Sequence, residues 1–102
     1  MTRYIRPQDH AWTATGIAGV EKTVLWRGGH GVATELFRLR KDAPYPPHPH
    51  RGWEQMWVIE GHIRLGDQEI GPGEFVFTEP GESHAPEILE DSLVLLSFGQ
   101  AS

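Results

Sequence analysis

The sequence contains no cysteine, which excludes both a disulfide framework and a metal site built on thiolates. Basic residues are scarce as well, since nine lysines and arginines stand against fourteen aspartates and glutamates, for a formal charge of -5. Contact with nucleic-acid phosphates needs clustered basic side chains, so this balance argues against a nucleic-acid partner. Arg38, Arg40 and Lys41 come nearest to such a cluster, and we expect them to form a solvated face of one strand.

Long apolar runs are also lacking. No segment approaches the roughly 20 apolar residues needed to cross a bilayer, and the charged N-terminus lacks the apolar stretch of a signal peptide. We therefore expect a cytoplasmic protein with no membrane association. A chain of 102 residues is also expected to form one domain, residues 1–102, because smaller pieces without disulfides could not bury a core.

Helical periodicity is the third absence. No segment of helical length repeats apolar residues every 3.6 positions without an interrupting glycine or proline. Instead, twelve glycines and eight prolines separate short segments of high strand propensity. The predicted strands cover residues 22–26, 32–40, 54–60, 62–65, 74–78 and 93–98. Short strands at even spacing predict an all-β sandwich, jelly roll or barrel.

Three of the six histidines and one glutamate occur at a regular spacing. His48 and His50 are two residues apart, so on an extended chain their imidazoles point to the same face. Glu54 has the same parity but lies roughly 13 Å further along an extended chain, too far to share an ion without a bend. We predict this bend at Gly52, which can adopt backbone conformations closed to other residues. His84 reaches the others only if two strand-turn-strand units pack together.

These residues resemble the two sequence motifs of small single-domain cupins. The first motif, His-x-His, then Glu, then Gly, is matched within residues 43–61, and the second motif is matched within residues 73–88. Two positions depart from the family pattern: Glu79 stands where proline is usual, and Ile88 stands where asparagine is frequent. Neither position is a metal ligand in the family, so the departures concern the turn and the surroundings of the site.

The resemblance implies a fold and a ligand set. The fold would be the cupin double-stranded β-helix, a jelly-roll barrel, with a short N-terminal extension. The site would hold one divalent transition metal ion per chain, Fe, Mn, Ni, Co or Zn, since a mixed nitrogen and oxygen shell suits each of them. Glu54 would be a ligand that can also loosen and act as the catalytic base, as the resemblance implies for some dioxygenases. The implied ligands are His48, His50, Glu54 and His84.

Strand parity predicts the surroundings of this site. Met56 and Val58 share the inward parity of Glu54 and would line an apolar pocket above the metal. Trp57 and Ile59 point the other way, and apolar residues on both faces of a strand indicate a second covered surface. We therefore expect a homodimer formed through that surface. Other candidate groups are expected to be ordinary surface residues: His10, His30, His62, Glu79, Glu82 and Glu87.

Three functions are compatible with these residues. The first hypothesis is a metal-dependent dioxygenase acting on a small enolisable or aromatic compound, because four protein ligands leave up to two open positions on an octahedral ion. The second is a non-enzymatic metal- or ligand-sensing cupin, since the chain is also similar to the cupin domains of bacterial anti-sigma factors. Sensing would require a separate protein partner. A metal-dependent isomerase or decarboxylase is the third, because it would use the same residues.

Overall fold

The computed structural model describes residues 1–50 and 52–100, without the side chains of His48 and Pro49. This part of the chain is almost entirely β, with one 3-10 turn at Pro7–Asp9. It contains no helix long and apolar enough to cross a membrane. The strands are β1 (Thr13–Ala14), β2 (Val20–Arg27), β3 (Ala33–Leu39), β4 (His48–Pro49), β5 (Gly52–Glu60), β6 (Ile63–Leu65), β7 (Gln68–Ile70), β8 (Phe75–Thr78), β9 (Ser83–His84), β10 (Glu87–Ile88) and β11 (Ser92–Gln100).

Two sheets enclose the core and a third closes one end. The large sheet has the order β1-β2-β3-β11-β5-β8, the second has the order β10-β6-β7, and β4 pairs with β9. Val58 and Val94 of the large sheet are at most 1% exposed, as are Ile63 and Ile88 of the second sheet. These residues belong to one hydrophobic cluster between the two sheets. The predicted all-β jelly-roll class is therefore confirmed.

The longer strands were predictable because each combines strand propensity with a turn at both ends. All six predicted segments correspond to observed strands, namely β2, β3, β5, β6, β8 and β11. The prediction missed β7, because Gln68 and Glu69 are polar and exposed and only Ile70 is buried. The strands of two residues, β1, β4, β9 and β10, are too short to show an alternating pattern.

Gly52 is required for a reason different from the predicted one. The chain does change sheets between β4 and β5, but Gly52 begins β5 and is not among the glycines with a positive φ angle. A Cβ atom built at Gly52 would instead overlap the backbone carbonyl of Gly99 on β11. The explanation by backbone freedom was therefore wrong. Glycine is needed here because β11 passes too close for any side chain.

The outer face of the large sheet is covered beside β2 by the residues that precede β1. The backbone N–H of Ala11 donates to Thr23 Oγ1 at 3.2 Å, and the Arg38 guanidinium lies 4.1 Å from the centre of the Trp12 ring. Stacking of an arginine on a tryptophan is a favourable cation–π contact. The predicted N-terminal extension is thus packed against the barrel. Arg38 contacts it but keeps a side chain that is 49% exposed, and Arg40 and Lys41 are exposed as well, as expected for a solvated face.

The other half of the outer face carries large exposed side chains. Trp57 is 51% exposed and Ile59 is 43% exposed, which confirms their predicted outward parity. Phe75 lies opposite Trp57 on β8, and the two rings are in edge-to-face contact with their centres 6.2 Å apart. The homodimer expected through this face stays a prediction, as do the cytoplasmic location and the single-domain bounds.

Replacing Gly52 by alanine should destabilise the protein by about 1–3 kcal/mol, the usual range for an over-packed site, because β11 must move away from β5. Gly29→Ala is the matched control, since a Cβ atom at Gly29 meets nothing within 4 Å. It should change stability by less than about 0.5 kcal/mol. Urea unfolding followed by tryptophan fluorescence measures both values. Equal midpoints for the two variants would show that the approach of β11 does not constrain position 52.

Candidate metal centre

The side chains of His50, Glu54 and His84 converge at one end of the barrel. Their potential ligand atoms all lie within 4.8 Å of one another. Nε2 of His50 is 3.2 Å from Nε2 of His84, and Nδ1 of His50 is 3.3 Å from Oε2 of Glu54. The His50 side chain is only 7% exposed and that of Glu54 is 19% exposed. Residues from both predicted motifs therefore meet in a largely buried cluster.

Backbone hydrogen bonds bring the two motifs together. The N–H of His50 donates to the carbonyl of Glu82 at 2.8 Å, and the N–H of Gly81 donates to the carbonyl of His50 at 2.7 Å. Gly81 has a φ of 91°, in the left-handed region that favours glycine, so the turn depends on this residue. In the adjoining ladder, His84 lies opposite His48. The expected packing of two strand-turn-strand units is what places His84 beside His50.

Glu54 is positioned by the large sheet. It lies opposite Thr78 of β8 and Phe98 of β11, so its strand is held on both sides. Met56 follows on the same inward face and lines a small cavity of about 40 Å³ together with Glu54 and His84. Val58 lies deeper and is fully buried in the core. The inward-facing residues of β5 thus lead from the polar cluster at Glu54 to the apolar interior at Val58.

The side chain of His48 lies outside the described part of the structure. Its backbone belongs to β4, and its assignment as a ligand stays a prediction.

The described residues fit a single metal ion. Two ligands about 2.1 Å from one ion, at tetrahedral or octahedral angles, lie roughly 3.0–3.4 Å apart, which matches the Nε2 separation of His50 and His84. One ion cannot bind both nitrogens of an imidazole, so an ion between the two Nε2 atoms leaves Nδ1 of His50 beside Glu54. A carboxylate in that position orients a metal-bound histidine. Glu54 is thus placed to orient His50, and it also offers one of the three potential ligand atoms.

Tyr45 contributes to this end of the barrel and was not singled out from the sequence. It lines the small apolar cavity and also a larger cavity of about 430 Å³ that His50 and Glu54 share. Burial raises the pKa of Tyr45, and the negative charges of Glu54 and Glu35 raise it further. Tyr45 therefore presents a neutral phenol beside the cluster. The prolines after Tyr45 indicated only a rigid approach to His48, which gave no sign of this role.

Lys22 and Glu35 also line the larger cavity and were likewise missed. A signal for Glu35 is present in the sequence, because it interrupts an otherwise apolar alternation in β3 at Ala33, Phe37 and Leu39. A charge at an inward strand position is unusual unless it is paired, and here Lys22 pairs with it.

Comparison with known proteins places the chain among cupins. A family model described as the ChrR cupin-like domain matches residues 1–102. The anti-sigma-E factor ChrR of Cereibacter sphaeroides is 30% identical over 81 residues, which cover 79% of this chain and 37% of that protein. The crystal structure of Rhodobacter sphaeroides SigE in complex with ChrR matches with a TM-score of 0.78 at 26% identity, covering 90% of this chain and 50% of that one.

More distant structures share the fold. An acetylacetone dioxygenase from Acinetobacter johnsonii has a TM-score of 0.81 at 13% identity and covers 97% of this chain and 73% of its own. KdgF from Halomonas has the same TM-score at 20% identity, with coverage of 98% and 96%. At these sequence identities the similarity shows a shared fold and does not extend to catalytic activity.

Substituting His50 or His84 by alanine should lower the metal content of the protein sharply, because each change removes one ligand from a small set. Inductively coupled plasma mass spectrometry of the purified variants measures this. His62→Ala is the control, since His62 lies 3.7 Å from Glu69 on the second sheet and should leave the content unchanged. Equal loss in all three variants would contradict the ligand assignment.

The affinity of the protein for the metal should also fall as pH drops through about 6.5, the reference histidine pKa, because a bound imidazole must be neutral.

The raised pKa of Tyr45 can be measured directly. In metal-free protein, the alkaline absorbance change at 295 nm should include a step with a midpoint above 10, the ordinary tyrosine value. Tyr45→Phe should remove this step, and Tyr4→Phe should leave it in place. Glu54→Gln should lower its midpoint, since it removes one of the two negative charges that raise it. A spectrum unchanged by Tyr45→Phe would contradict the burial of this phenol.

Proposed function

The chain belongs to the family of ChrR cupin-like domains, and we propose that it binds one divalent transition metal ion through His48, His50, Glu54 and His84. The observation that carries this proposal is the convergence of three potential ligand atoms within 4.8 Å. Fe, Mn, Ni, Co and Zn all suit this set of nitrogen and oxygen donors.

We further propose that the site binds a small enolisable or aromatic compound and that the reaction is a dioxygenation. When bound, the metal would polarise chelating oxygens as a Lewis acid and, as Fe(II), would supply the one-electron chemistry that dioxygen requires. The residues around the ligands support this choice of compound. Met56, Phe37 and Leu96 make the neighbouring interior surface apolar, which favours a compact hydrophobic group over a sugar phosphate.

Glu54 and Tyr45 would act on such a compound directly. Glu54 Oε2 lies 3.3 Å from Nδ1 of His50 and borders both cavities, so its carboxylate can accept the proton that an enolisable compound loses. Tyr45 stays protonated because its pKa is raised, so its hydroxyl can donate a hydrogen bond to an oxygen of the compound. Binding in the partly buried pocket would exclude water from these groups.

The test is oxygen consumption by Fe(II)-loaded protein, followed with an oxygen electrode against a panel of diketones and phenols. We expect uptake with at least one compound and a large loss of rate in Glu54→Gln, because the proton acceptor is removed. His62→Ala should retain the wild-type rate. No uptake with iron shown to be bound would exclude the dioxygenase, while turnover of a compound without oxygen uptake would indicate an isomerase or decarboxylase.

A non-enzymatic role is the second candidate, and the relationship to ChrR favours it. That relative is named an anti-sigma factor and has been crystallised with SigE. By analogy, this chain would use the metal to report a bound compound or a change of metal state to a protein partner. The two roles differ in the metal shell, because a structural or sensing site is closed while a catalytic site keeps an exchangeable position. Unfolding of the metal-free form, together with no exchangeable water on the bound ion, would favour sensing.

A further inference from the structure

One pair of charges lies inside the barrel without a role in metal binding. Glu35 has a side chain that is 3% exposed, and both of its carboxylate oxygens contact Nζ of Lys22, at 3.3 and 3.4 Å. Arg27 approaches the same carboxylate at 3.7 Å but is 66% exposed, so it lies at the rim. Two cations against one carboxylate leave this group with one net positive charge.

The position of the pair is unusual for a structural ion pair. Glu35 lies opposite Val24 of β2 and Leu96 of β11, and Leu96 in turn lies opposite Met56 of β5. These residues form one row across the strands of the large sheet. Replacing a buried ion pair by apolar residues is often neutral or stabilising, so stability alone does not explain charges here. An inward glutamate in this row is better explained by what it holds in place, which is the ammonium of Lys22.

The pair and the metal centre border one space. Lys22, Glu35, His50 and Glu54 all line the cavity of about 430 Å³. Glu35 lies two strands from Glu54 and one inward row away, so their Cα atoms are roughly 12 Å apart at ordinary strand spacing. The charges of both carboxylates raise the pKa of Tyr45, which agrees with the cavity that all three residues line. Nζ of Lys22 lies within 3.4 Å of the Glu35 carboxylate, so the ammonium lies at the Glu35 end of this cavity.

We propose that Lys22, held by Glu35, is a carboxylate-binding subsite of this cavity, and that the compound bound at the metal centre is a small acid with chelating oxygens at one end and a carboxylate at the other. This inference rests on the proposed metal-binding function and adds the class of compound to it. A lysine ammonium has three donors, so the two contacts to Glu35 leave capacity for a ligand oxygen. The Lys22 side chain is 30% exposed, which keeps it accessible from the cavity.

The experiment compares acids with their own methyl esters on Co(II)-loaded protein under anaerobic conditions. The probes are 3,4-dihydroxybenzoate and 3,4-dihydroxyphenylacetate, which chelate through the same two oxygens as their esters and place the carboxylate at two different distances. Binding is followed through the visible absorption of Co(II). We expect at least one acid to bind about tenfold or more tightly than its ester, since one charge-assisted contact contributes about 1.5–3 kcal/mol.

Variants assign this preference to Lys22. Lys22→Met keeps the length of the side chain without its charge and should abolish the preference for the acid, while the affinity for the ester and the cobalt content stay within about twofold. Lys41→Met, a change at an exposed position, should keep the preference. Because Lys22→Met leaves Glu35 buried without its lysine, the double variant Lys22→Met, Glu35→Met provides a second form that avoids this cost and should also lack the preference.

Failure of the carboxylate subsite and failure of the proposed metal-binding function would give different results. Binding of cobalt and of the esters, with no preference for either acid, would overturn the carboxylate subsite and leave the metal centre intact. A preference that persists in both Lys22 variants would also overturn it. Failure of the wild-type protein to bind cobalt, or of every probe to change the cobalt spectrum, would overturn the proposed function and this inference together.

Discussion

The pair of backbone hydrogen bonds between His50 and the turn at Gly81 and Glu82 is the constraint on which the candidate centre depends. It joins two segments more than thirty residues apart and sets the distance between two imidazoles before any ion is present. Such preorganisation matters because ligands held in place do not lose conformational freedom again when a metal binds. The left-handed turn at Gly81 is the local feature that makes these bonds available.

The polarity of the barrel interior explains why chemistry is confined to one end. The two sheets bury an apolar cluster that reaches from Ile88 and Ile63 to Leu96. Among the described residues, Glu54 faces His50 and Glu35 faces Lys22 along one cavity at this end of the barrel. Each of these carboxylates has a partner, because an unpaired charge at such a depth would be costly. A molecule bound there would meet an apolar wall on one side and fixed charges on the other.

Membership of the ChrR cupin-like family does not by itself decide between catalysis and sensing. The matched residues cover 37% of the length of ChrR, so most of that protein has no counterpart in this chain. Both candidate functions require the same cluster, and both can use a cavity that recognises a small molecule. They differ in whether the metal keeps an exchangeable position, which is a property of the bound ion.

The sequence by itself determined the class of fold and the chemistry of the ligands. Alternating apolar residues between glycines and prolines were enough to locate six of the seven strands of three or more residues. The spacing of His48, His50, Glu54 and His84 was enough to indicate a metal site. Only the tertiary structure decided which other groups share that site. Glu35 lines the cavity of His50 and Glu54 through strand pairings, and Tyr45 lines it from the connection between β3 and β4. No local pattern encodes these positions, and Gly52 is required by a strand more than forty residues away. The physical reason is that periodicity reports which face of a strand a residue occupies, whereas contact across a barrel depends on the register of every strand between.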